Sequence, residues 1–422
     1  MGTSLRVLFL TNYLYRNANA EIVNRLAQVL YERFQCDITV MGYTRGVEYE
    51  TPPVQEGITR LAIGSVSKLQ SIWGTIPERW KRMLAILASP ECYRYFVVNK
   101  FDAKHSLRKE YTHALRRLLK NQKFDCIIGV SFPTESLTSL LSLKTDIPFI
   151  AYKLDPWSTH FEKVGIEEEK QNEQEVDAAA SAIVVTDLIR KDYPADTSPA
   201  ILEKLHVLNF PNIVHYQVFD KPVTFMGSEA VHCVFTGGLY FNIRNPAYLF
   251  DLFKRLEQNN IILHIYGRQI GEQNCIPDVL PSNIIFHGEV DSDTALNCML
   301  SADILVNIGN TVLNMMPSKL LTYISTGKPI LNIIKDPACP TVPYMEKYPL
   351  ALNVLETELP TEADVSRVKD FILHSRGKQI PFEEIEQKYY DCTPEYVGGK
   401  LYELICSAIE KRKNEKAHSS LS

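Results

Sequence analysis

Short apolar runs alternate along this chain with longer segments whose apolar residues recur every three or four positions. The first pair sets the pattern. LRVLFL (Leu5–Leu10) is apolar apart from one arginine and predicts a buried strand, whereas Ala18–Phe34 places Ile22, Leu26, Val29, Leu30 and Phe34 at helical spacing. Strand-like runs follow at Cys36–Gly42, Phe124–Val130, Pro148–Tyr152, Ala182–Thr186 and Leu205–Asn209, with helical stretches between several of them. Such alternation predicts a parallel sheet covered by helices on both faces. Parallel sheets bind ligands beyond the carboxyl ends of their strands. That rule puts Thr11–Ala20, Ser131–Glu135 and Lys153–His160 on one rim.

The pattern restarts after Pro211-Asn212. VHCVFT (Val231–Thr236) leads into Gly237-Gly238, Pro246–Gln258 is helical, and IILHIY (Ile261–Tyr266) ends at Gly267. Ile284–Phe286 ends at His287-Gly288, Asp303–Asn307 is a further strand, and a helix after Pro317 runs to Gly327 before the strand Ile330–Ile334. The expected fold class is therefore α/β: two doubly wound, Rossmann-like domains facing an interdomain cleft, the default place for a ligand. The expected divisions are residues 1–212 and 213–380, then a helical segment over 381–422 that crosses back to the N-terminal domain and ends in a frayed polar tail.

Length and composition narrow the class. At 422 residues the chain suits two domains rather than one core. Its net charge of −5 argues against a general nucleic-acid binder. No run approaches the ~20 apolar residues needed to cross a bilayer, and Val7–Leu10 is too short for the core of a signal peptide. Nine cysteines without a CxxC pair suggest neither a disulfide framework nor a zinc site. The expected compartment is the cytoplasm.

The chemistry concentrates in the second half. A helix N-terminus offers unpaired N–H groups and partial positive charge, which suits a phosphate. In NMMPSKLLTYISTGKPIL, Pro317 costs no needed donor there, Ser318 adds a hydroxyl and Lys319 a full charge. A capped core helix with a solvent-facing lysine is the plainer reading of PSK alone. Other strand ends in the same domain carry matching features, however. Gly237 and Gly238 permit close approach of backbone to ligand, Arg244 follows within reach of a second phosphate oxygen, and Gly267-Arg268 and His287-Gly288 close two more strands. Together they point to a diphosphate site.

FTGG…IRNP, IYGR, NIIFHGEV, SADILVNI and MPSKLLTYISTGKPIL, with VLFLTNY, DAAASAIVVTDLIRKDY and KLHVLNFPN in the first half, resemble the GT-B glycosyltransferases, specifically glycosyltransferase family 4. The resemblance covers most of the chain. It implies transfer of a sugar from a nucleoside-diphosphate sugar, UDP being the commonest, with retention, without a metal and without a cofactor. It implies that Gly237, Gly238 and Arg244 approach the donor diphosphate together with Ser318 and Lys319. Gly267, Arg268, His287 and Gly288 would hold the base. Many family members carry two glutamates eight residues apart across the donor helix, one for the sugar and one for the ribose. Aligned on Gly327-Lys328-Pro329, those positions are Asn314 and Thr322 here.

On the acceptor side, Asp155 closes a strand at the rim and is the candidate to orient an acceptor hydroxyl or take its proton, with His160 the nearby alternative. A helix cap or salt bridge is the competing reading of Asp155. Asn17 and Asn19, in a glycine-free loop, and Glu135, after the next strand, are acceptor-side candidates; each also fits ordinary turn or helix-terminus duty. Between residues 76 and 125, twelve Lys/Arg stand against five acids, and Trp73, Trp80, Tyr93, Tyr95 and Phe96 lie in or beside this stretch. That composition suits peripheral contact with an anionic membrane through residues 73–123, and equally a solvated helical face whose aromatics belong to the core. The expected partners are a nucleotide-sugar donor and a glycan or lipid-linked acceptor, as in surface or capsular polysaccharide synthesis. The alternatives are a catalytically silent subunit that binds a nucleotide sugar, motivated by Asn314 and Thr322, and a GT-B-shaped epimerase.

Overall fold

The computed structural model describes residues 4–14, 18–44, 57–65, 103–131, 134–143, 145–160, 166–227, 229–271, 273–317 and 319–419. The chain divides into two compact units, residues 1–211 with 394–422, and residues 212–393.

The first unit runs β1 (Arg6–Tyr13), α1 (Ala18–Phe34), β2 (Asp37–Thr44), β3 (Ile58–Ser65), α2 (Ala103–Asn121), β4 (Cys126–Ser131), α3 (Glu135–Leu141), β5 (Phe149–Lys153), α4 (Glu167–Ala179), β6 (Ala182–Val185), α5 (Asp187–Asp192), α6 (Pro199–Leu202) and β7 (Leu205–Val207). Its seven strands lie in the order β3-β2-β1-β4-β5-β6-β7, all parallel. Winding begins at β1, runs outward to β3, then returns to the other side of β1 at β4. The point where the strand order reverses is where open α/β sheets leave a crevice. Helix α1 buries Ile22, Val23, Leu26, Val29 and Leu30 as one stripe. Against it packs the C-terminal helix, whose Val397, Leu401 and Ile405 join the same core. The approach is close. A Cβ on Gly398 would lie 2.6 Å from Val29 Cγ1, and the rings of Phe34 and Tyr402 stack at 4.1 Å.

The second unit contains β8 (Val231–Thr236), β9 (Leu239–Tyr240), α7 (Ala247–Arg255), β10 (Ile261–Tyr266), β11 (Gln269–Ile270), β12 (Ile284–Gly288), α8 (Ser292–Ser301), β13 (Ile304–Ile308), α9 (Lys319–Ser325), β14 (Ile330–Ile334), α10 (Val342–Lys347), β15 (Ala351–Leu355), α11 (Glu362–Ser375) and α12 (Phe382–Lys388). The C-terminal helix α13 (Pro394–Ser419) then belongs to the first unit. The six-stranded parallel sheet has the order β12-β10-β8-β13-β14-β15, so its reversal lies between β8 and β13. Its strands are mostly apolar, and polar residues line up across both halves of the sheet. Asn307, Asn332 and Asn353 occupy one register across β13, β14 and β15. Asn307 donates to Asn332 at 2.7 Å, and Asn332 donates to Asn353 at 2.7 Å and Thr341 at 3.0 Å. Among the described residues no helix is long and apolar enough to cross a membrane.

Candidate functional site

In the second unit the strand-end loops are laced together by backbone. Gly237 N–H donates to Tyr266 O at 2.9 Å, Gly267 N–H to Gly288 O at 2.8 Å, and Leu239 N–H to Arg268 O at 2.9 Å. The glycines have a more immediate reason than admission of a ligand. A Cβ on Gly267 would sit 1.8 Å from the Gly237 carbonyl oxygen, and one on Gly238 would sit 2.6 Å from Ile270 Cδ1. Gly237 itself has φ +146°, a conformation that L side chains rarely adopt.

Arg244 stands beside this layer, in a short hairpin fixed by reciprocal backbone bonds with Tyr240. Its guanidinium reaches across the β8/β13 reversal to Asn310, which follows β13. Nη2 donates to Asn310 Oδ1 at 2.8 Å and Nε at 3.1 Å, and Nη1 lies 3.4 Å from Gly238 O. Asn310 is 3% exposed, and its Nδ2 donates to Met315 O at 3.1 Å in the loop before α9. The holder of this arginine is therefore a neutral amide. Among the described residues Arg244 has no carboxylate partner, and burial lowers its pKa below the ordinary guanidinium value. A half-buried cation aimed at a strand reversal and left unneutralised is suited to an anionic ligand.

Helix α9 is nearly engulfed, with Leu320 to Ser325 all buried. Tyr323 ties it to the end of β8: its hydroxyl accepts Thr236 N–H at 2.8 Å. Lys319 begins the helix half-buried and without a carboxylate partner among the described residues. Thr322 is only 7% exposed, and Asn314 is half-buried in the preceding loop. Ser318 lies outside the described residues.

His287 ends a chain of histidine rings. Its Nε2 lies 3.0 Å from His264 Nδ1, and His264 Nε2 lies 3.0 Å from His232 Nδ1. His232 Nε2 meets Gly227 O at 3.1 Å. A carbonyl only accepts, so His232 carries its proton on Nε2 and, when neutral, accepts on Nδ1. His264 and then His287 must follow in the same tautomer, which leaves His287 Nδ1 as the lone-pair end. Tyr266 stacks on His287 at 4.2 Å and Phe225 lies over His264 at 4.5 Å. Burial, and then the neighbouring His232 and His287 rings, lower the His264 pKa to about 4. Arg268 pairs with Glu289 at 3.6 Å, both well exposed.

In the first unit, Asn19 on α1 donates to Ser131 O at 3.3 Å, which bridges the β1/β4 reversal, and it also hydrogen-bonds the Asp155 side chain. Burial raises the Asp155 pKa to about 6, and the Asn19 bond holds it back from going higher. Among the described residues no cation pairs with Asp155. Glu135 and His160 are 4% and 7% exposed. Asn17 lies outside the described residues, as do 73–102 of the basic stretch.

No protein-family profile matches the sequence, and no curated protein matches it. Solved structures do. A lipopolysaccharide-biosynthesis glycosyltransferase, WaaG, covers 94% of this chain and 99% of its own at 13% identity and a TM-score of 0.56. The lipopolysaccharide outer core galactosyltransferase WaaB covers 96% and 99% at 12% identity and a TM-score of 0.53. A putative UDP-N-acetylglucosamine 2-epimerase from Listeria monocytogenes covers 95% of each chain at 9% identity and a TM-score of 0.53. The fold is GT-B. At these identities the likeness speaks for the fold alone, and GT-B structures here include both transferases and an epimerase.

Within this GT-B chain the sequence singled out Gly237, Gly238, Gly267 and Arg244, which the structure sets side by side, and Asn19 and Asp155, which it joins by a hydrogen bond. It missed Asn310, the holder of Arg244, which carried no signal beyond a polar loop. It also missed His232 and His264, whose partners lie 32 and 23 residues further along. Among the described residues no group of three His, Cys, Asp or Glu side chains is arranged to hold a metal ion.

Proposed function

We propose that this protein is a glycosyltransferase that moves a sugar from a nucleoside-diphosphate sugar, UDP-linked, to a glycan or lipid-linked acceptor. The reading includes retention at the anomeric carbon, no metal, and a place in surface polysaccharide synthesis at the cytoplasmic side of the membrane. Residues 73–123 would provide the anionic-membrane contact. The observation that carries it is the Arg244–Asn310 pair: a cation fixed at the strand reversal by a neutral amide and still owed a counter-charge. The leaving nucleoside diphosphate gains negative charge as the glycosidic bond breaks, and preplaced cations lower that barrier. Arg244 and Lys319 take this role, with Gly237, Gly238 and Ser318 beside the diphosphate. Gly267, Arg268, His287 and Gly288 lie toward the base, Asn314 toward the sugar and Thr322 toward the ribose. Asp155 takes the acceptor proton, and Asn17, Asn19, Glu135 and His160 line the acceptor side.

One observation favours a second reading. Asn314 and Thr322 are neutral where carboxylates are expected, and Thr322 is buried, which suits a silent subunit that binds the donor for an active partner. The test is a panel of nucleotide sugars scored by melting temperature, then by donor turnover with a glycan extract. Arg244→Ala and Lys319→Ala should each lower turnover about 100-fold or more, the usual loss for one transition-state donor, with the fold intact. Near-normal rates in both would refute the diphosphate assignment. Binding without transfer would favour the silent subunit, and an inverted sugar with no acceptor consumed would favour an epimerase.

A further inference from the structure

Lys153 closes β5 with its side chain fully buried. Its ammonium donates to Glu173 Oε1, Asp177 Oδ2 and Tyr193 Oη, each at 2.8 Å. Three acceptors match its three N–H donors. Burial alone would depress the Lys153 pKa, but Glu173 and Asp177 more than offset it and hold the amine charged. The other Glu173 oxygen accepts Ser158 N–H at 3.0 Å and Ser158 O–H at 2.6 Å. The Trp157 indole N–H donates to Glu169 at 2.7 Å, and Thr159 O–H to Asp192 at 2.7 Å. Loop 153–159 is thus pinned to α4 and α5 at four residues. The remaining acid of the loop is Asp155, which faces the other way, to Asn19 on α1.

So much buried charge is poor value as stability alone, because desolvation consumes most of the attraction. We propose that Lys153, Glu173 and Ser158 are positioning residues, a clamp that presents the Asp155 carboxylate at the β1/β4 reversal as the acceptor's proton-accepting group. The assignment rests on the glycosyltransferase reading. In that reaction the acceptor O–H proton passes to Asp155 as the new glycosidic bond forms and the nucleoside diphosphate leaves with the electron pair. Lys153 and Glu173 fix where the carboxylate stands. Burial and the Asn19 side chain are what act on the Asp155 carboxyl; the other titratable groups of this stretch are Lys153, bound to Glu173 and Asp177, and His160.

The test uses the full chain with aspartate labelled by carbon-13. The wild-type Asp155 carboxyl should titrate at about 6. Glu173→Gln should let the loop loosen, move that midpoint down toward an ordinary aspartate and lower kcat about 100-fold, the scale of an ~1 Å misplacement. Nucleotide affinity should stay unchanged. Ser158→Ala, which removes one hydroxyl and leaves the ion pairs, should move both quantities the same way by less. A folded Glu173→Gln protein with an unmoved midpoint and unmoved kcat would overturn the clamp, as would a loss of stability with no change in midpoint. If the wild type turns over no donor, the glycosyltransferase reading fails, and the midpoint comparison still decides the clamp.

Discussion

Asn310→Asp tests most directly whether Arg244 is kept open for an anion. The substitution changes one atom and places a carboxylate where the amide oxygen now accepts two guanidinium bonds at 2.8 and 3.1 Å. Arg244 would become half of a buried ion pair. A diphosphate would then meet a neutralised partner, and at an effective dielectric of ~20 a charge contact near 4 Å is worth about 4 kcal/mol. Discounting for phosphate charge shared with Lys319 leaves ~3 kcal/mol, or roughly 100-fold in Kd. The lost Asn310 donor to Met315 O adds a smaller local cost. Isothermal titration of UDP and uridine against wild type, Asn310→Asp and Asn310→Ala separates these terms. UDP affinity should fall about 100-fold in the aspartate variant and clearly less in the alanine variant. Uridine, which lacks phosphate, should be indifferent to both. UDP binding to Asn310→Asp within threefold of wild type would refute the reasoning.

Two further outcomes follow from the geometry. In the histidine chain His264 sits well below its unfolded value of about 6.5, because burial and the two flanking rings disfavour its charged form. Its stability is therefore fully present above pH 6.5 and is lost as pH falls toward 4, by about 3 kcal/mol at most. Urea midpoints measured from pH 8 to 4.5 should show this slope in wild type and a flatter one in His264→Gln; equal slopes would refute it. Gly267→Ala drives a methyl into the Gly237 carbonyl at 1.8 Å and should lower stability by ~1–3 kcal/mol and weaken nucleotide binding. Gly399→Ala, whose methyl meets only Phe34 at 3.9 Å, should leave the melting temperature equal or higher.

Strands β8, β10 and β14 were legible because each is mostly apolar with a single interior His or Asn and is bounded by turn signals, and α1 because its stripe repeats at helical spacing. Strands β3 and β15 were not. ITRLAIGS interleaves polar residues, and ALNVL carries an asparagine whose partner lies on another strand. At the site, residue type and strand end were readable for Arg244 and Asp155, since both follow apolar runs at the rim. What each touches was not. Asn310 stands 66 residues beyond Arg244 and Asn19 lies 136 residues before Asp155, and only the crossover connections bring them together. The glycines carry the clearest lesson. Their spacing was read as room for a ligand, and at Gly267 the backbone that comes close is the protein's own.

The asparagine row across β13, β14 and β15 constrains how this sequence can change. Each amide there is matched to the next, so replacing one alone abandons a buried partner at ~1–3 kcal/mol, while exchanging all of them for aliphatic residues is close to neutral. Ancestors and descendants on either side of that exchange are separated by a valley that single substitutions cannot cross cheaply. The row should therefore be inherited intact or vanish as a block, and it offers a tracer for descent where overall identity has decayed too far to read.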